Sequence, residues 1–219
     1  MFFKLSFMKS FSQAEIQQMD RIFRLNLINS STGYKSANLI VSQSKSGIHN
    51  VAIFSSITHL GSDPALIGFI VRPTVVPRNT YQNIHEVGYF TVNHITAEQI
   101  QSAHHSSAAY PEEISEFDQT DLVPEFKNNL PIPFVSKSPV QLYCKYLNEY
   151  PIAVNNTIMM VASIEHIFIA ETLLHEDGWI RLDQAKVVAI NGLDGYALPQ
   201  IIDRFAYARP HKPTESILK

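Results

Sequence analysis

The residues of this 219-residue chain best suited to chemistry are two arginines near a predicted helix start. Arg72 directly follows Ala65–Val71, a short apolar run with the β-branched content of a buried strand. After a loop that contains two prolines, Arg78 precedes a predicted short helix over Tyr81–Val87. Free N–H groups at a helix N-terminus and guanidinium groups both bind anions. The spacing therefore predicts an anion site, and phosphate is the obvious candidate.

The boundaries of that helix can be predicted from its flanking residues. Asn79 or Thr80 can cap its N-terminus, and Gln82 stands three residues after Asn79, in capping-box spacing. Gly88 is expected to end the helix, and Tyr89–Asn93 then alternates as a strand.

Strands dominate the remaining pattern. They are predicted at Asn38–Gln43, Ile48–Ser56, Ala65–Val71, Tyr89–Asn93, Val140–Tyr146, Thr157–Ala170 and Val187–Ile190. The turn Ser44–Gly47 joins the first two as a hairpin. Strict β–α alternation is absent, which argues against a doubly wound parallel sheet. The chain is therefore expected to be mainly β, an antiparallel barrel with peripheral helices.

Helices are predicted at the N-terminus and within a polar insertion. A capping box at Ser12–Glu15 and apolar residues at helical spacing predict one amphipathic helix over Gln13–Leu25, covering one end of the sheet. The insertion is predicted to hold two short helices, around Ala97–His104 and Pro111–Phe117. We expect residues 1–11 to be disordered or tag-like and 12–219 to form a single domain.

Composition narrows the classes of function. The net charge of −3 gives no general attraction to nucleic acid or to an anionic membrane, and neither is expected as a partner. The single cysteine, Cys144, is expected to be a buried, inert thiol in a reducing compartment, so we expect a cytoplasmic protein. No apolar run approaches the roughly 18 residues that cross a bilayer. The histidines lack metal-ligand spacing, and no metal is expected.

Four segments in fixed order resemble the flavin reductase-like family. They are Gly47–Ser56 (GIHNVAIFSS), Asp63–Phe69 (DPALIGF), Arg78–Ile84 (RNTYQNI) and Gly88–Asn93 (GYFTVN). Each is weak alone, but their ordered combination is specific. The resemblance implies an FMN-binding split β-barrel and a homodimer with two FMN sites at the subunit interface.

The resemblance also implies roles for individual residues. The strand end would lie along the isoalloxazine ring and ribityl chain, through Asn50, Ala52, Phe54, Ser55 and Ser56. The phosphate would be held by Arg72, Arg78, Asn79 and Thr80, with Asn83 supporting the loop. His59 and Ser106 would line the substrate mouth. Two alternatives stay open: the serine hydroxyls at the strand end could simply bond to backbone, and the insertion could be either a surface helical hairpin or a lid over the flavin.

The function that the resemblance implies is an NAD(P)H:flavin oxidoreductase, with NAD(P)H as a transient reductant. Hydride would pass from nicotinamide to flavin N5 and on to a small-molecule acceptor or a partner protein. The flavin carries this chemistry, so no protein residue is expected to be catalytic. The alternatives are an FMN electron-transfer protein that does not use NAD(P)H directly and a barrel that binds a ligand without redox turnover.

Overall fold

Antiparallel strands form the main sheet of the chain, as the sequence predicts. The computed structural model describes residues 8–218. The strands are β1 (Lys35–Ser36), β2 (Asn38–Gln43), β3 (His49–Phe54), β4 (Thr58–Ser62), β5 (Ala65–Val71), β6 (Tyr89–His94), β7 (Pro124–Glu125), β8 (Phe134–Val135), β9 (Val140–Ile152), β10 (Thr157–Ile169), β11 (Ala189–Asn191) and β12 (Gly195–Ala197). The α-helices are α1 (Gln13–Gln18), α2 (Arg21–Ser31), α3 (Asn79–Val87) and α4 (Ile100–His105).

The seven-stranded main sheet must curl into a barrel. Its order is β3-β2-β6-β9-β10-β5-β4, with every pair antiparallel. A flat sheet would separate its two outer strands by roughly 29 Å, at about 4.8 Å per neighbour. Yet β3 and β4 follow each other in the chain, and the step from Phe54 to Thr58 reaches at most about 14 Å. The sheet therefore closes on itself, and the place where β3 and β4 meet without a ladder is the split.

The two faces of the curled sheet pack into two hydrophobic clusters. Alternate residues of β2 separate them, because successive side chains of a strand point to opposite faces. Ile40 belongs to the inner cluster, with Phe69, Ile84 and Phe90. The outer cluster contains the flanking strand residues and is covered by the later segments of the chain; it includes Leu39, Val41, Val51, Phe134, Tyr143 and Ile190.

Helix α3 ends as predicted and lies against the inner face of the barrel. Gly88 follows its last turn in the left-handed region, with φ of 80°, and its N–H bonds to the carbonyl of Ile84 at 2.8 Å. A residue with Cβ is strained at that φ, so glycine suits the position. Ile84 is fully buried in the inner cluster, which fixes the helix across the barrel.

The N-terminal helix prediction was wrong in its extent. The chain forms two helices because Asp20 caps a second one, accepting hydrogen bonds from the N–H groups of Ile22 and Phe23. The capping box at Ser12 and Glu15 is present as predicted. Neither helix buries a residue completely, so this part of the chain does not form a buried cover on the sheet.

The insertion and the C-terminal region also differ from prediction. The predicted helix over Pro111–Phe117 is wrong: only the 3-10 turn Glu116–Asp118 forms there, whereas the earlier insertion helix is present as the 3-10 turn Ala97–Gln99 followed by α4. Pattern analysis did not predict the short strands β1, β4, β7, β8 and β12, because two to five residues carry too little periodicity. The predicted disordered leader falls largely outside the described residues. No helix within the described residues has the length and apolarity needed to span a membrane.

Candidate functional site

A carboxylate from the insertion covers part of the free edge of strand β3. Glu116 is 4% exposed, and its Oε2 accepts a hydrogen bond from the N–H of Val51 at 2.6 Å. Its Oε1 accepts a second from Asn50 Nδ2 at 2.7 Å. Because the Val51 N–H points away from β2, the alternation of an antiparallel strand directs the Ile53 N–H to the same outer edge. Glu116 thus occupies one end of this edge and leaves the Ile53 amide facing outward.

Burial governs the electrostatics around this carboxylate. Burial raises the pKa of Glu116, while the hydrogen bonds from Val51 and Asn50 oppose that rise. The neighbouring His49 packs edge-on against Phe117, and burial lowers the pKa of its imidazole. The residues beside the strand edge are therefore a buried acid and a histidine that favours its neutral form.

A second hydrogen bond carries this network to helix α3. Thr80 Oγ1 donates to Asn50 Oδ1 at 2.7 Å, and both residues are buried. Asn50 therefore links the carboxylate of the insertion to the first turn of the helix. The strand edge and the helix start, which sequence analysis predicted to lie in one site, are joined directly.

The start of α3 provides a set of anion-binding groups. Arg78 is the N-cap residue, and the first intrahelical bond runs from the Gln82 N–H to the Arg78 carbonyl at 3.0 Å. The N–H groups of Asn79, Thr80 and Tyr81 therefore have no partner within the helix. Within the described residues, the buried Arg78 Nε also has no hydrogen-bond partner. The first turn of α3 thus offers three N–H groups without a partner in the helix, and the residue that precedes it carries a buried guanidinium nitrogen without an acceptor.

The predicted capping arrangement at this helix was wrong. The helix begins two residues earlier than predicted, at Asn79, and no side chain caps it. Gln82 does not reach back to the N-terminus; its Nε2 donates forward to Glu86 at 3.3 Å. The absence of a side-chain cap leaves the N–H groups of the first turn available to a ligand, which a capping box would have occupied.

The predicted ring-contacting residues share one face of β3. Asn50, Ala52 and Phe54 alternate along the strand and so point the same way, toward the interior of the barrel. The ring of Phe54 packs edge-on against Phe69, with centroids 5.4 Å apart. Ala52 and Phe54 are half-buried. A ligand along this strand would meet their accessible parts and the backbone of the outer edge.

The two serines at the end of β3 differ. The Ser56 hydroxyl accepts from the Ile70 N–H at 3.0 Å and lies 3.3 Å from the Ile70 carbonyl, to which it can donate. This is the backbone-bonded alternative considered for the pair. The Ser55 side chain is half-buried, and its hydroxyl makes no hydrogen bond within the described part of the chain. Only the Ser55 hydroxyl is therefore free for a ligand.

The remaining predicted phosphate residues lie at the edges of the helix start. Arg72 follows β5 directly and is exposed, whereas Arg78 and Asn79 are half-buried. Asn83 is buried on the inner side of α3, where its Nδ2 donates to Ser42 Oγ at 3.2 Å. Asn83 thus ties the helix to strand β2, a supporting contact one turn away from the anion-binding groups.

The two residues predicted at the substrate mouth lie in different environments. His59 is exposed on the outer strand β4 and is accessible to a ligand. Ser106 is 3% exposed at the end of α4, and its hydroxyl donates to the Ala103 carbonyl at 2.7 Å. The Ser106 side chain therefore serves the helix end in this structure.

Other reactive groups are few. Cys144 is fully buried on β9, as predicted, and burial raises the pKa of its thiol. Among residues 8–218, no three His, Cys, Asp or Glu side chains are grouped as a metal site requires.

Two cavities of the described residues lie away from the strand edge and the helix start. Two cavities of about 360 Å³ are present, one lined by residues such as Gln99, Ser136 and Lys186 and the other by residues such as His104 and Tyr196. Neither includes a predicted site residue. A ligand bound along β3 would therefore lie outside these two cavities.

Sequence analysis missed the structural role of Glu116 and the free amide of Ile53. The sequence assigns Glu116 no role beyond its place in the predicted helix over Pro111–Phe117. The contact joins positions 65 residues apart, and no local pattern reports it. The direction of the Ile53 amide follows only once β3 is known to be an edge strand.

The chain is similar to one protein family and to several solved structures. The family model described as flavin reductase like domain matches residues 31–182. A protein of Shewanella frigidimarina, described as a candidate flavin reductase with a split barrel domain, is 36% identical, with a TM-score of 0.88 over 91% of this chain and 100% of that one.

Two further solved structures share the fold at lower identity. Nitrilotriacetate monooxygenase component B from Bacillus cereus is 20% identical, with a TM-score of 0.77 over 89% of this chain and 96% of that one. The 2-nitrobenzoate 2-nitroreductase of Pseudomonas fluorescens is 19% identical, with a TM-score of 0.77 over 94% of this chain and 98% of that one.

Proposed function

The chain belongs to the flavin reductase-like family, and from this premise we propose that it is an FMN-binding oxidoreductase that takes hydride from NAD(P)H and passes it to an acceptor. The family supports flavin-linked oxidoreductase chemistry. The choice of FMN, the use of NAD(P)H and the nature of the acceptor are our proposals.

The observation that carries the choice of FMN is the set of unsatisfied donors at the start of α3. The N–H groups of Asn79, Thr80 and Tyr81 and the buried Arg78 Nε lack acceptors there. A buried donor without a partner is costly, which applies to the Arg78 Nε. Free N–H groups at a helix start favour an anion with several oxygens. A terminal phosphate monoester fits the site, because its oxygens can accept from several of these groups at once. Arg72 is near in sequence and would add charge from the exposed side.

The chain offers a second set of groups along β3 for the flavin ring. The outward Ile53 N–H and the unbonded Ser55 hydroxyl are donors of the kind that the polar edge of a flavin ring accepts. Asn50, Ala52 and Phe54 supply the adjoining surface of the strand. A bound flavin supplies the hydride chemistry itself, so these residues need only bind the ring, orient it and shield it from water. Positioning of two reactants in this way contributes much of a reaction's rate.

We also propose that the working form is a homodimer. Ile22 and Phe23 of α2 are apolar and more than half exposed, and grouped apolar side chains on a surface are typical of a protein–protein contact. A second copy would cover such surface and could enclose a ligand bound along β3. A monomeric mass in sedimentation at micromolar concentration, with flavin bound, would contradict this.

Flavin titration tests the proposed cofactor. Apoprotein is titrated with FMN, riboflavin and FAD, and binding is followed by quenching of flavin fluorescence. We expect FMN to bind at least about tenfold more tightly than riboflavin, because only FMN fills the anion site. We also expect FMN to bind more tightly than FAD. Equal affinity for riboflavin and FMN would exclude a phosphate role for the α3 start.

Anaerobic reduction tests the proposed reductant. The flavin-loaded protein is mixed with NADH or NADPH in separate experiments, without a partner protein. Bleaching of the flavin absorbance by either nucleotide is the expected result. A flavin that dithionite reduces but neither nucleotide bleaches would instead identify an electron-transfer protein.

A further inference from the structure

A chain of three polar side chains runs from the insertion to the start of helix α3. Glu116 Oε1 accepts from Asn50 Nδ2 at 2.7 Å, and Asn50 Oδ1 accepts from Thr80 Oγ1 at 2.7 Å. All three residues are at most 8% exposed. Water therefore has little access to these hydrogen bonds, and each polar group must form its hydrogen bonds with other groups of the protein.

The chemistry of these groups fixes the direction of every bond in the chain. An ionised carboxylate only accepts, so Asn50 must turn its NH₂ toward Glu116 and its carbonyl oxygen toward Thr80. A hydroxyl has a single proton, and Thr80 must donate that proton to the Asn50 oxygen. The Thr80 hydroxyl is then left with lone pairs alone, and it has no proton to offer to a phosphate.

We propose that Glu116 is a positioning residue of the phosphate site, which sets the hydrogen-bond direction through Asn50 and so withholds the Thr80 hydroxyl proton from the ligand. This inference rests on the proposed binding of FMN at the start of α3. Phosphate recognition then falls to the backbone N–H groups of the first turn and to Arg78. Glu116 touches neither phosphate nor flavin in this role.

Replacement of Glu116 by glutamine is expected to reverse the donor and acceptor roles in the hydrogen bonds of Asn50 with residue 116 and with Thr80. In Glu116→Gln, the amide oxygen can still accept from the Val51 N–H, while the new NH₂ takes the place of Oε1 and must donate. Asn50 then turns its oxygen toward position 116 and its NH₂ toward Thr80. The Thr80 hydroxyl accepts that bond, and its own proton becomes free for the phosphate.

The test measures the preference for FMN over riboflavin, which is the ratio of their two dissociation constants for the apoprotein. We expect Glu116→Gln to raise this preference by about tenfold, the effect of one added hydrogen bond to a charged group. In the Thr80→Val background, the same glutamine substitution should leave the preference unchanged, because no hydroxyl remains. Glu113→Gln, an exposed glutamate of the same segment, is the matched control and should change nothing.

Three results would overturn the proposal. One is an unchanged preference in Glu116→Gln, and another is an equal loss of affinity for both flavins, as a merely structural role predicts. The third is a gain that persists in the Thr80→Val background. Should Glu116→Gln fail to fold, Thr80→Val alone decides, since a selective loss of FMN affinity would show that the hydroxyl already donates to phosphate. Failure of the proposed function is a separate result, in which the wild-type protein itself shows no preference for FMN.

Discussion

The hydroxyl of Ser56 lies 3.0 Å from the backbone nitrogen of Ile70 and 3.3 Å from its carbonyl oxygen. Ser56 follows β3, and Ile70 lies in β5 near the opposite end of the main sheet. The β4–β5 register pairs Thr58 with Gly68, which places Ser56 opposite Ile70. One side chain therefore extends that pairing by two hydrogen bonds, to a point two residues from the end of β3. This contact holds the candidate flavin strand against the rest of the sheet.

Removal of the Ser56 hydroxyl should destabilise the fold, whereas removal of the adjacent one should not. Ser56→Ala loses both bonds to Ile70 and is expected to lower the free energy of unfolding by about 1–2 kcal/mol. Ser55→Ala loses no hydrogen bond within the chain and should stay within about 0.5 kcal/mol of wild type. Urea denaturation of both apoproteins measures the difference. FMN affinity should fall more in Ser55→Ala than in Ser56→Ala. Equal stability of the two variants would contradict the assigned role of Ser56.

The two arginines near helix α3 should differ in their contribution to FMN binding. Arg78→Met removes the half-buried guanidinium of the N-cap residue and should weaken FMN binding by tenfold or more, at about 1.5–3 kcal/mol for each charge-assisted bond. Arg72 is exposed and solvated, so Arg72→Met should have a smaller effect. Riboflavin affinity serves as the control and should be unchanged in both. A larger effect at Arg72 would place the phosphate nearer the end of β5.

The strands that carry the site were predictable because their residues obey a periodic rule. The predicted bounds of β2 (Asn38–Gln43) and β5 (Ala65–Val71) agree with the structure. In a sheet, the burial of side chains follows from a continuous or alternating pattern of apolar residues, and this pattern can be recognised in the local sequence. Gly88 was predictable from a second local rule, because a helix that ends in the left-handed conformation favours glycine, which has no Cβ to be strained there.

The parts that could not be predicted depend on contacts between distant residues. The N-terminal helix divides at Asp20 because that carboxylate caps a new helix, although the apolar spacing alone favoured one continuous helix. Glu116 is polar and lies in an irregular segment, where its burial follows only from the tertiary contact with β3. The residues of the candidate site were named from a resemblance, whereas the hydrogen bonds that orient them became visible only in the folded chain.

Stability should fall in acid because of His94. Burial at the end of β6 lowers the pKa of this histidine to about 4, below its ordinary value of 6.5. The native state therefore binds fewer protons than the unfolded state between these two values. The stability that neutral His94 contributes to the free energy of unfolding is fully present above pH 6.5 and is lost as the pH falls toward about 4.

The acid dependence can be measured by urea denaturation across this pH range. His94→Gln should flatten the fall in unfolding free energy between pH 6.5 and about 4, because glutamine does not titrate there. His59→Gln, at an exposed histidine, should retain the wild-type slope. An unchanged slope in His94→Gln would assign the acid sensitivity to other groups.

The C-terminal segment is fastened to the body of the protein by Arg204. Its Nη1 lies 2.7 Å from Asp177 Oδ2, and its guanidinium carbon lies 4.5 Å from the centre of the Trp179 ring. Hydrogen bonds from Arg204 and from His175 lower the pKa of Asp177 to about 2, so the ion pair persists at neutral pH. Beyond Arg204 the chain folds back on itself through a bridge between Phe205 and Ser216.

Loss of this fastening should expose the C-terminal segment to proteolysis. In Arg204→Met, both the ion pair and the contact with Trp179 are removed, so the segment should open more often and be cleaved faster by chymotrypsin after the exposed Phe205 and Tyr207. Arg209→Met removes a neighbouring exposed arginine and is the matched control, with cleavage at the wild-type rate. Chymotrypsin is the suitable protease because neither substitution alters its preferred aromatic sites. Equal cleavage rates for wild type and Arg204→Met would show that the bridge between Phe205 and Ser216, and not the arginine, protects the segment.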